Sequence, residues 1–448
     1  MRSVNSTESA LSRQWHTLLT ERAPEVPELA EAVRSGLSVA SPYNPEVPLP
    51  ISPVLLSRRT ADEVAHAGRE VVRLAVEECM RRTSSPRRLA HLLGIEPSPL
   101  LSERESYNRW AASQARPDIV VSQGVPKVLE CNIGSAIGGI EDLARLDPLL
   151  WGSSAAEKFR REHGVRSGRT VQARRELLTR IARDRGALGR LRMGIAGHSE
   201  ATFAEVVEDA AAHGIDAFFV ELEDLTEDGG LRRGSEPPMD LFLQKFIAAG
   251  AYRDGEPMAA LEAAVDRDST FVANPDLSSL FSSKTVLAWL TSSAEDLPER
   301  DRRTIQRHVP WTAELQDSRV VYKGVRQELL PLVLRDREEL VLKPVDGFGG
   351  HGVVVGRTTG EAEWAAAVDD CLKERYIVQV YTHPDTFSLS CWHGPSATHE
   401  LLDTAAVISP FVIDGQVTGY LARTGSLIGS GGVISAETGA LASVFVVD

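Results

Sequence analysis

A glycine-rich segment between two apolar runs carries the clearest chemical signal in this sequence. Its glycines are Gly347, Gly349, Gly350 and Gly352. Backbone N–H groups without side chains in front of them can close on anionic oxygens, and Lys343, at the end of the first run, adds a positive charge. The pattern predicts a strand, a phosphate-binding loop and a second strand, with an ordinary glycine-rich hairpin as the alternative.

The same spacing satisfies G-x-G-x-x-G, but two common uses of that motif do not fit the context. A dinucleotide-binding turn opens a helix, whereas the residues after Gly352 are β-branched and run into Gly356. In protein kinases the lysine follows the glycine loop, and here Lys343 precedes it. The sequence therefore argues against both of these sites.

A second candidate site lies around two short apolar runs joined through Gln123-Gly124, which together predict a hairpin. The hairpin would bring Asp118 close to Glu130 and Asn132, and the last two share one face of their strand because they are two residues apart. Two carboxylates and an amide oxygen are hard donors suited to Mg²⁺ that also binds substrate phosphates. Solvated turn residues are the alternative interpretation.

Lysine is scarce in this chain, so each lysine is informative. Of the 49 basic residues only seven are lysine. Lys284 and Lys343 adjoin apolar segments rather than runs of charge. This placement favours a phosphate-binding role for both.

The elements that must position these residues follow from periodicity. Helical patterns joined by proline-rich connections dominate residues 1–100, whereas residues 191–220 alternate strand, helix and strand. Residues 375–381 form another apolar strand pattern, and two more strands flank the turn at Asp414-Gly415. The pattern predicts a mixed α/β protein.

In their order along the chain these motifs resemble the ATP-grasp fold, in which a lysine, a proline and a glycine loop lead into a strand. ATP-grasp enzymes carry a Glu-x-Asn metal motif that normally follows the loop. Here Glu130-Cys131-Asn132 precedes the loop by more than two hundred residues. That inversion resembles the circularly permuted, glutathionylspermidine synthetase-like branch, in which an Arg-x-Asp segment such as Arg116 to Asp118 precedes Glu-x-Asn by the same interval.

The resemblance implies a role for each candidate site residue. The metal ligands would be Asp118, Glu130 and Asn132. The arginines of the catalytic site, contacting triphosphate or acyl phosphate, would be Arg116 and Arg423. The ATP-binding residues would be Lys284, Lys343, Gly347, Gly349, Gly350, Gly352, Gln379, Val380 and Tyr381, of which the last three lie on the strand that carries adenine. Two departures from the branch are His351, where a longer basic residue is common, and the tail 426–448, which has no asparagine for the metal shell.

The resemblance also implies an α/β (α+β) fold of the ATP-grasp type, circularly permuted, with a small Rossmann-like α/β subdomain. The expected regions are an N-terminal helical region at 1–115, a permuted segment with the metal-binding hairpin at 116–190, an acceptor-side subdomain at 191–275 and a nucleotide-binding region at 276–448.

The overall composition argues against several classes of partner and site. A net charge of −14 argues against nucleic-acid and anionic-membrane partners. The sequence contains no apolar run of about 18 residues and does not start like a signal peptide, so we expect a cytoplasmic protein. Its four cysteines show no paired spacing, which argues against a zinc site or a disulfide framework. The oligomeric state cannot be read from the sequence.

The sequence thus predicts an ATP- and Mg²⁺-dependent carboxylate–amine ligase that forms an amide or peptide bond through an acyl phosphate. Its partners would be small-molecule carboxylate and amine substrates, such as an amino acid, a peptide or a polyamine. Two rival interpretations stay open. One is an ATP-dependent phosphotransferase, which would share every nucleotide-binding residue, and the other is a non-catalytic nucleotide-binding protein with a decayed site.

Overall fold

The computed structural model describes residues 6–40, 47–347, 349–394, 396–426, 431–434 and 438–447. Its α-helices are α1 Ser6–Glu21, α2 Val26–Ala40, α3 Arg58–Arg82, α4 Pro86–Leu93, α5 Glu105–Asn108, α6 Ile140–Trp151, α7 Ser154–Glu162, α8 Thr170–Asp184, α9 Ala204–Ala212, α10 Ala248–Asp254, α11 Ala259–Arg267, α12 Leu277–Phe281, α13 Thr285–Ser293, α14 Glu299–His308, α15 Leu329–Arg335 and α16 Glu361–Cys371. Within the described ranges, no helix is both long enough and apolar enough to cross a membrane.

Its strands are β1 Leu49–Pro50, β2 Val54–Ser57, β3 Gln114–Ser122, β4 Val125–Ile133, β5 Arg192–Ala196, β6 Asp216–Phe219, β7 Leu225–Glu227, β8 Leu231–Arg233, β9 Leu241–Gln244, β10 Phe271–Val272, β11 Thr312–Glu314, β12 Arg319–Tyr322, β13 Val325–Glu328, β14 Leu340–Pro344, β15 Val354–Val355, β16 Tyr376–Val380, β17 Thr386–His393, β18 Thr398–Ile413, β19 Gln416–Gly425 and β20 Ala440–Val447. These strands form three sheets of four or more strands and two short hairpins.

The largest sheet has eight strands and is organised around the 16-residue strand β18. The first half of β18 pairs with β17 and its second half with β3, while β19 runs along its other edge. Strand β20 then joins β19 to β2, and the β2 pairing is parallel. The hairpin of β3 and β4 is therefore held through β18, with helix α3 packed against it in the main core.

A four-stranded antiparallel sheet, in the order β11, β16, β14 and β15, carries the glycine loop between its last two strands. Leu340 and Leu342 of β14 are fully buried in one apolar cluster with Val333 of α15 and Trp364 of α16. A short run of consecutive apolar residues is typical of such a covered strand. This packing fixes the strand end from which Lys343 projects.

The remaining four-stranded sheet is entirely parallel, in the order β10, β9, β5 and β6. Loop 134–139, which follows the metal-motif hairpin, is held at the carboxyl ends of these strands. Ser135 Oγ donates to Gln244 O at 2.7 Å, and Lys245 Nζ donates to Ile137 O at 2.7 Å. The carboxyl edge of a parallel sheet is where open α/β proteins usually bind ligands.

The structure confirms the predicted strand, glycine loop and strand, the hairpin, and the strand–helix–strand unit of residues 191–220. The four cysteines are buried and unpaired, as expected for reduced thiols. The sequence analysis did not predict β1 and β2 within the helical N-terminal region or β20 in the tail. Strands β1 and β2 pair with partners more than 300 residues away, and β20 pairs with β19 residues 16–22 positions away. A local sequence pattern carries no record of such pairing.

Parts of the segments discussed in the sequence analysis lie outside the described residues. They are 1–5 and 41–46 of the N-terminal region, 348 of the glycine-rich segment, and 427–430, 435–437 and 448 of the tail.

Candidate active site

A cleft lies between the β3–β4 hairpin and the sheet that carries the glycine loop. Its empty space, including the solvent at its open side, is about 890 Å³. The predicted site residues that line it are Asp118, Glu130, Lys284, Lys343, Gly347, Gly350, Gln379, Val380 and Tyr381. Five predicted site residues are absent from the described lining of the cleft: Gly349, Gly352, Asn132, Arg116 and Arg423. The structure thus gathers most of the predicted set around one space.

The hairpin places Asp118 directly opposite Glu130. Its turn requires positive φ at both central residues, 51° at Gln123 and 76° at Gly124, which is typical of the two-residue turns that match strand twist. The Asp385 carboxylate accepts hydrogen bonds from both of these backbone N–H groups, at 3.0 and 2.9 Å. The segment after β16 therefore holds the tip of the hairpin in place.

The two carboxyl groups have opposite electrostatic environments. Burial raises the pKa of Asp118, and the neighbouring Glu130 raises it further, although Arg116 opposes the shift. Burial also acts against ionisation of Glu130, but the charges of Lys284 and Lys343 outweigh it and lower the pKa of Glu130. The surroundings therefore favour ionisation of Glu130 and oppose ionisation of Asp118, whose charged form a cation would stabilise.

Two lysines approach Glu130 from the other wall of the cleft. Lys284, at the start of α13, lies with its Nζ 3.2 Å from Glu130 Oε2 and 2.5 Å from Gly347 O. Lys343 Nζ donates to Gln379 Oε1 at 2.7 Å. Burial lowers the pKa of Lys343 to about 8, against the attraction of Glu130. The two lysine side chains beside the Glu130 carboxylate supply positive charge suited to phosphate.

The donor set of the hairpin fits Mg²⁺. The Asn132 amide nitrogen donates to Arg116 O at 3.2 Å and lies 3.4 Å from Glu130 Oε1, which leaves the amide oxygen as the remaining ligand atom. In the described ranges no three His, Cys, Asp or Glu side chains are grouped to hold a metal. Two carboxylates and an amide suit an ion that completes its coordination with water and phosphate oxygens.

Arg116 and Arg423 lie at the end of the site that faces loop 134–139. Arg116 Nη1 donates to Gly138 O at 2.9 Å, and its Nε lies 3.5 Å from Asp118 Oδ1. Burial lowers the pKa of Arg423, and the neighbouring charge of Arg116 lowers it further. Two partly buried guanidinium groups that repel each other would be stabilised by a shared anion.

The glycine loop adopts conformations that favour glycine. Gly349, Gly350 and Gly352 have φ of 68°, 85° and 71°. At Gly352 a side chain would also place its Cβ 2.9 Å from the Tyr376 hydroxyl oxygen. The sequence signal in this loop is therefore explained by backbone geometry.

Several hydrogen-bonding groups of the predicted adenine strand already bond to other parts of the protein. The N–H groups of Val380 and Tyr381 donate to Trp311 O and Glu339 O, at 2.9 and 2.8 Å. The Gln379 side chain is buried and bridges Lys343 to Thr312 instead of facing adenine. A backbone hydrogen bond from Val380 or Tyr381 to adenine would therefore use a carbonyl group.

The sequence analysis missed one wall of the cleft. Gly432, Val433 and Ile434 of the tail line it, and the Tyr381 hydroxyl donates to Gly432 O at 2.9 Å. This part of the tail has no charged or motif residue, so nothing in its sequence points to a site. A hydrogen bond between the adenine strand and the tail could be found only from the structure.

No protein-family model matches this chain. Among curated proteins it is similar to a Frankia alni protein described as "Putative glutamate--cysteine ligase 2-3", with 29% identity over 194 residues. The match covers 41% of this chain and spans only 20% of the relative.

Among solved structures the chain is similar to a glutathione synthetase-like effector from Globodera pallida in its apo form. The TM-score is 0.56 at 12% identity, and the match covers 94% of this chain and 96% of that chain. At this level of identity the likeness concerns the fold. The chain therefore has a mixed α/β fold like that of this glutathione synthetase-like protein.

Proposed function

We propose that this chain is an ATP- and Mg²⁺-dependent carboxylate–amine ligase. The observation that carries the proposal is the arrangement of one cleft: Lys284, Lys343 and the glycine loop face the carboxyl pair of Asp118 and Glu130. The similarity to a described glutamate–cysteine ligase and to a glutathione synthetase-like protein supports the same class of reaction.

In the proposed reaction the γ-phosphate of ATP is transferred to a substrate carboxylate, which gives an acyl phosphate and ADP. An amine then attacks the acyl carbon, the C–N bond forms, and phosphate leaves. Mg²⁺ held by Asp118, Glu130 and Asn132 would neutralise the phosphate charge. The chemistry needs positioning and charge compensation rather than a protein nucleophile, and no serine or cysteine is assigned that role.

Each group of residues would have one task. Lys284 and Lys343 bind phosphate oxygens, and Arg116 and Arg423 hold the acyl phosphate at the end nearest loop 134–139. Adenine lies between β16 and the tail residues 432–434. The partners would be small acids and amines, and neither nucleic acid nor a membrane is part of the proposal.

We further propose that the fold is circularly permuted. The hairpin that carries the metal motif precedes the glycine loop in the chain, although both line the same cleft. The regions 1–115, 116–190, 191–275 and 276–448 would then be the working units, and all four strands of the parallel sheet fall within 191–275.

The proposal is tested by incubating the chain with Mg²⁺-ATP and pools of carboxylic acids, amino acids, polyamines and short peptides. We expect a product whose mass is the sum of one acid and one amine minus water, with ADP release that needs both. ADP release with a phosphorylated product and no amine would identify a phosphotransferase. An absence of nucleotide binding would indicate a decayed site.

The glycine loop provides a separate prediction. In the described backbone the loop makes few hydrogen bonds, such as Val353 N–H to Gly350 O at 3.3 Å. We expect the amides of Gly347, Gly349, Gly350 and Gly352 to exchange rapidly in the free protein and to become protected when Mg²⁺-ATP is added, because closure excludes water from the acyl phosphate. Hydrogen-exchange mass spectrometry measures this change. Strong protection without nucleotide would mean a rigid hairpin and no lid.

A further inference from the structure

A second set of charged side chains lies beside the candidate active site and has no role in the proposal above. Glu141 follows the first residue of α6, Lys245 follows β9, and Arg174 lies on α8. Arg174 Nη1 donates to Glu141 Oε1 at 2.6 Å, and Lys245 Nζ lies 3.3 Å from the same oxygen. The single Glu141 carboxylate faces two positively charged groups, so the triad keeps an excess of positive charge.

Around this triad, four buried polar atoms have no hydrogen-bond partner in the part of the chain that the structure describes. They are Asp142 Oδ1, Arg145 Nε, Arg145 Nη2 and Arg174 Nη2. Asp142 and Arg174 are each 2% exposed. Buried polar atoms are nearly always paired with protein, water or ligand. Several unpaired atoms in one cluster indicate that a polar molecule belongs there.

The unpaired atoms share one neighbourhood. Asp142 and Arg145 are three residues apart on α6 and so lie on one face of the helix. Lys245 of the triad directly follows β9, at the carboxyl end of the parallel sheet, and its Nζ also donates to Ile137 O of loop 134–139. Asp142 interacts electrostatically with Arg145, Lys245 and Arg423. The cluster therefore adjoins the arginine that we place on the acyl phosphate.

We propose that this cluster binds an α-amino acid as the amine substrate, an inference that rests on the proposed ligase function. The unpaired N–H groups of Arg145 and Arg174 would donate to its carboxylate. Asp142 Oδ1 would accept from its ammonium group and would hold it on the side of Arg423. A polyamine would leave the guanidinium groups unpaired, and a simple acid would leave Asp142 unpaired, so both are disfavoured.

The first test uses the full chain with Mg²⁺ and a non-hydrolysable ATP analogue. The twenty common L-amino acids are screened by thermal shift, and each hit is titrated calorimetrically beside its decarboxylated amine and its deaminated acid. We expect the amino acid to bind and both truncated probes to bind at least about tenfold more weakly, because each leaves charged groups unpaired. Nucleotide binding without binding of any amino acid would overturn the inference.

A matched pair of variants tests the residue assignment. Asp142→Asn should weaken binding of the amino acid by about tenfold or more. Asp147→Asn, the same change on the same helix at a carboxyl whose Oδ1 is also buried and unpaired, should leave binding unchanged. Equal affinities of wild type and Asp142→Asn would refute the site.

The effect of Asp142→Asn on protein stability distinguishes a ligand-binding role of Asp142 from a structural role. Burial raises the pKa of Asp142 to about 6, and the charge of Glu141 adds to the shift. The ionised carboxylate therefore destabilises the free protein above that pH, and Asp142→Asn should raise the melting temperature at pH 8 with a gain that fades towards pH 4. A lower melting temperature at pH 8 would indicate a structural carboxylate and overturn the inference.

The inference and the proposed function fail in different ways. ATP-dependent ligation of an acid to a polyamine, with no binding of amino acids, would keep the ligase and refute this site. A failure to bind nucleotide at all would remove the ligase and the inference with it.

Discussion

Replacing Lys343 with methionine should lower the affinity for ATP by about a hundredfold or more while the fold is kept. The Lys343 ammonium group is held by Gln379 beside the carboxylate of Glu130, so it is positioned before nucleotide arrives. A preorganised charge in a partly buried cleft is worth far more to a phosphate than a solvated one. Calorimetric titration of the free chain with Mg²⁺-ATP measures the loss.

The pKa of Lys343 predicts that the affinity for ATP depends on pH. Burial lowers the pKa of Lys343 to about 8, so the free protein loses this charge as the pH rises through that value. The affinity of the wild type for ATP should therefore fall above pH 8, and the methionine variant should lack that decline. Lys373→Met is the matched control, because this lysine is 72% exposed and its ammonium group bonds to Asp370 on the surface. If both lysine variants bind ATP equally well, Lys343 is not a phosphate ligand.

Local signals in the sequence predicted the parts of the site that depend on local geometry. The glycine loop follows from positive φ values, and the hairpin from a two-residue turn at Gln123 and Gly124. Both signals concern residues close together in the chain, where turn chemistry and strand period decide the structure. The sequence could therefore place Asp118 opposite Glu130.

Contacts between distant segments could not be predicted in this way. Asp385 holds the hairpin tip from 261 residues away, and Gly432 reaches Tyr381 across 51 residues. Gln379 looked like an adenine contact because it lies on the right strand, but its amide is used to hold Lys343. The direction of a buried polar side chain depends on which partners the fold brings near it, and a single sequence does not record those partners.

Removing the charge of either member of the carboxyl pair, Asp118 or Glu130, should have opposite effects on stability. Glu130→Gln should destabilise the free protein by roughly 1–3 kcal/mol at pH 7, between the limits for exposed and buried ion pairs, because Lys284 loses its counter-charge at 3.2 Å. Asp118→Asn should raise stability slightly, because it removes a partly buried charge that faces Glu130.

The pH dependence follows from the directions of the two pKa shifts. The pKa of Glu130 is lowered, mainly by Lys284 against the effect of burial, so its contribution is present above its unfolded value and is lost as the pH falls. The pKa of Asp118 is raised by burial, so its destabilising effect appears as the pH rises. Both differences from wild type should therefore shrink in acid, which thermal melts without nucleotide or Mg²⁺ at pH 4 and pH 8 would detect.

The two variants should have opposite effects on stability but the same effect on catalytic activity. Both variants lose a negative oxygen ligand, so both should lower ATP-dependent amide formation by about a hundredfold or more, with a higher Mg²⁺ requirement. A variant that becomes more stable and less active at once is typical of a residue kept for function at the expense of the fold. If Asp118→Asn keeps full activity, or if both changes shift the melting temperature in the same direction, the carboxyl pair is a structural feature rather than a metal site.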